Sequence, residues 1–251
     1  MPRSREGKAR KMGELDDLKD KLATAAQILR WELADMWGHV SAKTPRGDTF
    51  ILLHLRPPFD HTLSENEILE YDFDGKLVAG RRDPPEEIFF YTCLYKAKAD
   101  VGAVIHCHPP IAVSLIAGGK KIIPIHQHSL KFGKGVPTSP WLYGTWQEDG
   151  EKAAKMIGNH CALMIKGHGA LVTGATIQDA CLNMVHVERT AKMIVLAESV
   201  GRVTPFPPAV VKKYQLLETQ RAQRRGFQPR RPPEWNYYEW MIKREERWNT
   251  W

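Results

Sequence analysis

Two histidines, His106 and His108, flank Cys107. Ala103-Val104-Ile105 precede them and Pro109-Pro110 follow, so the pair reads as the end of a short buried strand. In an extended strand residues i and i+2 point to one face, their backbones about 6–7 Å apart. Two imidazoles so placed can converge on one metal ion. The same pair also arises by chance on a surface strand, so alone it decides nothing. His168 lies between Gly167 and Gly169, directly after the apolar stretch 161–165. Flanking glycines allow close backbone approach, which suits a third ligand at a strand end. Glu87 stands 19 residues before His106. A carboxylate there can ligate a metal or act as a general base. A helix-start Glu favoured by the helix dipole is the competing explanation.

The elements that must position these residues follow from periodicity. Apolar residues at three- to four-residue spacing predict an amphipathic helix over 14–36, stopped by Gly38. The β-branched, apolar run 49–55 predicts a strand, and 71–78 a hairpin turning at Asp74-Gly75. Asp83-Pro84-Pro85-Glu86-Glu87 is a helix-start signal for a helix running to about residue 99, with Glu87 inside it. A strand over 101–107, a helix from Pro109 to about 117, a helix over 147–158, a strand over 161–165 and a long helix over 176–200 complete the body. Strands alternating with helices predict an α/β or α+β fold with helices covering a sheet.

Composition narrows the field. The chain has 251 residues, 43% hydrophobic and 26% charged, which suits a globular domain and excludes a collagen, a coiled-coil rod or a wholly disordered chain. No apolar run approaches the ~20 residues needed to span a bilayer. The basic N-terminus lacks an apolar stretch behind it, so no secretory signal is expected. The net charge of +7 is concentrated at the ends: residues 1–12 hold five Lys/Arg against one Glu, residues 212–251 ten against five, and the middle is slightly acidic. No nucleic-acid-binding motif accompanies this basicity, so neither nucleic acid nor membrane is expected as a partner. The four cysteines form no CxxC pair and read as small buried hydrophobes in a reducing compartment, which places the protein in the cytoplasm. Residues 1–12 are expected to be a disordered basic head, 13–205 the main domain, and 206–251 an extension whose many Trp and Tyr residues pack on the body or on a neighbouring subunit.

Taken jointly, the motifs resemble the class II aldolase/adducin family. Its pattern of a Glu, a Tyr eight residues on, a strand ending in HxH and a distant GHG is matched by Glu87 with Tyr95, by residues 98–108, and by residues 163–171. Residues 37–42, WGHVSA, are similar to the family's WGNVSA, and the following helix, with Ala180 and Glu188, continues the likeness, which covers about 18–202. The resemblance implies a three-layer α/β/α fold with a central, mainly antiparallel sheet. It also implies one divalent metal ion (Mn²⁺, Zn²⁺, Co²⁺ or Fe²⁺) held by His106, His108 and His168, with Glu87 as the catalytic carboxylate, and a homotetramer with its site near a subunit interface.

The phosphate-cradling Ser/Thr-Gly-Asn and T-P-S/T-G segments of the family's sugar-phosphate members are missing; His39 replaces the Asn. The sequence is closer to a branch that includes decarboxylases of dihydroxyphthalate and hydroxymethylpyridine dicarboxylate. The expected function is therefore metal-dependent decarboxylation of a hydroxylated aromatic or heteroaromatic acid. Decarboxylation and retro-aldol cleavage both leave an electron pair on carbon, for which a metal is an electron sink. His39 is a candidate proton carrier, Arg56 a candidate carboxylate clamp, and Tyr237 and Tyr238 candidate phenol donors to a neighbour's site. An aldolase or epimerase of a non-phosphorylated hydroxy-carbonyl compound, and a non-catalytic adducin-like interaction module, are the alternatives. His126 and His128 read as pocket-lining or structural, and His54, His61, His160 and His186 as structural.

Overall fold

The computed structural model describes residues 13–55, 68–81, 84–225 and 232–248. Eight strands form one sheet: β1 His39–Lys43, β2 Thr49–His54, β3 Ile68–Asp72, β4 Leu77–Ala79, β5 Ala103–Cys107, β6 Thr138–Ser139, β7 Ala162–Ile165 and β8 Gly169–Gly174. Their order is β4-β3-β2-β1-β5-β8-β7-β6, and every pairing is antiparallel except β6 with β7. Helices α1 Glu14–Leu33, α2 Ile88–Ala97, α3 Pro110–Ala117, α4 Gln147–Ile157, α5 Ile177–Val200, α6 Pro208–Arg225 and α7 Pro233–Trp248 complete the chain.

Side-chain alternation along the strands splits the interior into two cores. Ile105 and Cys107 of β5 join Val40, Ile51 and Val172 under α1, α3, α5 and α7. Val104 joins Phe50, Leu163 and Leu171 under α2 and α4. The result is the expected three-layer α/β/α arrangement around a mainly antiparallel sheet. His106 and Val104 share a face, so His106 points to the α2/α4 side.

Several boundaries differ from expectation. Helix α1 ends at Leu33, closed by Ala34 at a positive φ of 52°, rather than running to residue 36. Helix α2 begins at Ile88, so Glu87 is its N-cap and lies outside the helix. Residues 127–132 form a 3-10 turn that carries His128. Strand β8, absent from the sequence reading, makes a hairpin with β7 and sets His168 in the turn between them. The WGHVSA segment supplies the central strand β1, whose Ser41 Oγ donates to Val104 O at 2.7 Å and lies 2.8 Å from Tyr95 Oη. Tyr95, the family's motif tyrosine, thus ties α2 to the sheet.

The extension is ordered where it is described. Trp235 of α7 is fully buried, and Tyr238 and Ile242 join it in the core with α1 and α5. Residues 1–12 lie outside the described residues, as do Arg56 and His61. Among the described residues no helix is long and apolar enough to cross a membrane.

Candidate metal centre

Strand β5 carries His106, His108 follows directly on its last residue, and the β7–β8 turn carries His168. Their ring centroids are 4.8 Å (His106–His108), 4.8 Å (His106–His168) and 5.3 Å (His108–His168) apart. One nitrogen from each lies within 4.8 Å of the others. The close approach depends on Gly169, where a Cβ would meet Cys107 O at 2.5 Å and the His106 and His108 rings at 3.1 Å.

Each ring is oriented through Nδ1. His106 Nδ1 donates to Ala170 O at 3.0 Å and His168 Nδ1 to Leu142 O at 2.7 Å. His108 Nδ1 lies 3.2 Å from Asp35 Oδ2, which also accepts from His108 N at 2.7 Å, while Asp35 Oδ1 accepts from Trp37 N at 2.9 Å. With every Nδ1 partnered, each Nε2 is left to the centre. His106 Nε2 is buried and has no hydrogen-bond partner among the described residues. This outer-shell pattern, which fixes tautomer and ring direction, is that of metal-ligating histidines.

The electrostatics agree. Burial pushes the His106 imidazole well below its usual range, helped by His108, His168 and His39. Burial lowers His168 too, against the bond to Leu142. Neutral imidazoles are the ligand form. Burial raises the Asp35 carboxyl, but bonds from His108 and Trp37 outweigh it and the net shift is downward, so Asp35 stays anionic behind His108. Below this site, Glu188 of α5 accepts from Ile111 N at 2.9 Å and Ala112 N at 2.8 Å. It thereby caps the first turn of α3, which directly follows the His-bearing strand.

The remaining candidates fall in different places. His39 pairs across the sheet with His54 on one side and His106 on the other, so three imidazoles lie in a row on one face. Its ring centroid is 4.5 Å from that of His54 and 6.5 Å from that of His106. Glu87 is half-buried beside Tyr91 and Tyr143. Burial raises the Tyr91 phenol strongly and the Glu87 charge adds to it; the bond to Glu86 is the main cause for Tyr143, with Glu87 again contributing. Tyr238 donates to Glu32 and accepts from Arg189 Nη2 at 2.7 Å, which engages it within its own subunit. Tyr237 is exposed on α7.

Several residues at the site were not foreseen. Asp35 is one: the expected helix ran past it to residue 36, and its partner His108 lies 73 residues away, so no local spacing joins them. Phe90 is another, its ring 5.5 Å from His106 and 6.2 Å from His168. A third group is an aromatic wall on the loop before α4: Tyr143 lies 6.0 Å from His168, stacks on Trp141 at 5.8 Å and reaches Trp146 at 6.4 Å. Trp141 and Trp146 are 57% and 58% exposed, so this wall faces outward beside the histidines.

A three-layer fold with three converging, Nδ1-anchored histidines defines a candidate metal-binding domain of aldolase type. The chain belongs to the Class II Aldolase and Adducin N-terminal domain family, whose pattern matches residues 23–195. Among curated relatives it is 28% identical over 202 residues to the 3,4-dihydroxyphthalate decarboxylase of Arthrobacter keyseri, covering 73% of this chain and 79% of that one. It is 25% identical over 175 residues to Decarboxylase NovR of Streptomyces niveus, covering 68% and 64%. For four of the curated relatives the chain spans 63–65% of their length, just under two thirds. An aldolase II superfamily protein from Pseudomonas syringae has the same fold, with a TM-score of 0.72, 21% identity and 91% of both chains covered.

Proposed function

We propose that this protein is a metal-dependent lyase that decarboxylates a hydroxylated aromatic or heteroaromatic acid. The observation that carries the reading is the pairing of an Nδ1-anchored histidine triad with the outward-facing wall of Trp141, Tyr143 and Trp146. A flat ring held by that wall would lie against the triad; offset stacking of aromatic rings contributes about 0.5–1.5 kcal/mol beyond area burial. The dihydroxyphthalate decarboxylase among the relatives points to the same chemistry.

His106, His108 and His168 would hold the ion, of the Mn²⁺, Zn²⁺, Co²⁺ or Fe²⁺ class. When bound, it supplies Lewis acidity for the electron pair left behind as carbon dioxide departs. The chain's own residues do the rest. Asp35 and the carbonyls of Leu142 and Ala170 keep the three rings aimed. The ring carbon that loses carbon dioxide must take up one proton, and Glu87, the N-cap of α2 and coupled by charge to Tyr143, would handle it. His39, in line with His106, relays or positions that proton. Arg56 would clamp a substrate carboxylate; it lies outside the described residues. Tyr237, exposed on α7, would reach a neighbour's site in a cytoplasmic homotetramer; Tyr238 would take part only by leaving Glu32 and Arg189.

Aldol cleavage of a non-phosphorylated hydroxy-carbonyl compound is the second reading, favoured by the family itself. A non-catalytic adducin-like module needs no converging triad. The test is product analysis. Protein loaded with each metal is given ortho-hydroxylated benzene and pyridine carboxylates, then hydroxy-aldehyde condensation products. Carbon dioxide from the acids supports the proposal, whereas aldehyde release from the second set, with no carbon dioxide from the first, overturns it.

A further inference from the structure

A second cluster of ligand-type side chains lies under α5 and α7, the helices covering the opposite face of the sheet. His128 comes from the 3-10 turn 127–132, His186 from the buried side of α5 and Glu234 from the first turn of α7. His186 is 3% exposed. Its Nε2 lies 3.1 Å from Glu234 Oε1, and its ring stacks on that of His128 at 5.0 Å and 27°. One ligand atom from each residue lies within 4.8 Å of the others. We propose that His128, His186 and Glu234 form a second divalent-metal site, suited to Zn²⁺, that fastens the C-terminal helix to the body.

The geometry is close to what an ion requires. With bonds of about 2.0–2.1 Å in a tetrahedral site, neighbouring donor atoms sit roughly 3.3 Å apart. The His186–Glu234 edge already has that length, and only His128 must move in; it is exposed on a short turn. In the metal-free state His186 Nε2 donates to Glu234 Oε1, so an ion at Nε2 would take the place of that proton, which would pass to the buried Nδ1. Burial also keeps the imidazole neutral, its pKa lowered to about 4 against the pull of Glu234.

Two cations border the cluster and bear on its affinity. Arg189 Nη1 is 3.9 Å from Glu234 Oε1, but the guanidinium is directed at Glu32, with Nη2 to Oε1 at 2.7 Å and Nε to Oε2 at 3.2 Å. Lys131 Nζ donates to Asn183 Oδ1 at 2.7 Å. Both direct their shortest bonds outside the cluster, but Arg189 still pairs with Glu234 and the Lys131 charge acts on His186 and Glu234, so both would weaken cation binding there. Two His and one carboxylate suit Zn²⁺ and leave a fourth position for water. A bound ion would join three segments that are 58 and 48 residues apart in sequence, a cross-link expected to stabilise the fold by mass action.

The test counts metal. Full-length protein is stripped with chelator, loaded with Zn²⁺, desalted and analysed for zinc per chain, beside His128→Ala and Glu234→Gln. His128 is exposed, so its variant folds. The site predicts one zinc fewer per chain in each variant, whatever the total in wild type, and a smaller zinc-induced rise in the melting temperature. A His106→Ala variant should keep this equivalent, which separates the site from the first triad. An unchanged zinc count in His128→Ala overturns the proposal.

Discussion

Asp35 is the sharpest test of how the histidine triad is built. Its Oδ2 accepts from both the backbone and the ring of His108, and its Oδ1 from Trp37 N, in a position where the side chain is 3% exposed. Asn in its place keeps the shape but offers one acceptor oxygen, and its NH₂ would face a donor. The charge behind His108 is lost as well. Removal of such an outer-shell partner costs about 10- to 100-fold in metal affinity, or roughly 1.4–2.7 kcal/mol. The donor left unpaired in the interior adds about 1–3 kcal/mol of fold destabilisation. Chelator-competition titration of Asp35→Asn with Zn²⁺ or Mn²⁺ reads the first effect, and urea unfolding of the metal-free protein the second. Metal affinity within twofold of wild type would show that Asp35 does not aim His108.

Gly169→Ala places a methyl 2.5 Å from Cys107 O, a backbone atom that cannot swing aside. A loss of about 1–3 kcal/mol in denaturant stability and a parallel loss of metal affinity are expected. Glu188→Gln replaces two bonds from the α3 amides with one and should cost about 1–2 kcal/mol by thermal denaturation. Tyr143→Phe removes only a phenol that donates to exposed Glu86 and should leave the melting temperature close to that of wild type. With the phenol beside Glu87 in the proposed proton path, turnover of the variant should fall while metal affinity holds. The imidazoles of His106, His168 and His186 all titrate below the usual 6.5, the last at about 4. They are neutral in the fold, while the unfolded chain takes up protons near 6.5, so acid favours unfolding. Metal-free protein should hold its stability above pH 6.5 and lose it progressively towards pH 4; acid unfolding that begins only below pH 4 would contradict those shifts.

The chemistry was legible where spacing within one strand carried it. His106 and His108 are two apart, and period two alone puts them on one face. His168 was legible because glycines bracket it at the end of an apolar run. Asp35 was not, because its partner His108 lies 73 residues away and only the β1–β5 pairing brings them together. The aromatic wall was missed for a related reason: Trp141, Tyr143 and Trp146 sit in a loop without periodicity. The helix-start signal before Glu87 was real, but two prolines at 84 and 85 precede a turn, and the helix proper waits until Ile88. Strand β8 was hidden by its glycine ends and by its closeness to β7. The cluster of His128, His186 and Glu234 has no sequence spacing at all; it exists only through the docking of α7 on α5.

In the proposed reaction the His106, His108 and His168 triad holds the ion on which carbon–carbon cleavage depends. The most direct measurement is carbon dioxide release from an ortho-hydroxylated aromatic acid by chelator-stripped protein, before and after Mn²⁺ is returned, with His168→Ala beside the wild type. No release is expected without metal, with recovery when Mn²⁺ is restored and a roughly hundred- to thousandfold deficit in His168→Ala that added Mn²⁺ does not repair, the range expected when a principal electrostatic stabiliser is removed. Equal release by stripped protein, or by His168→Ala, would contradict it.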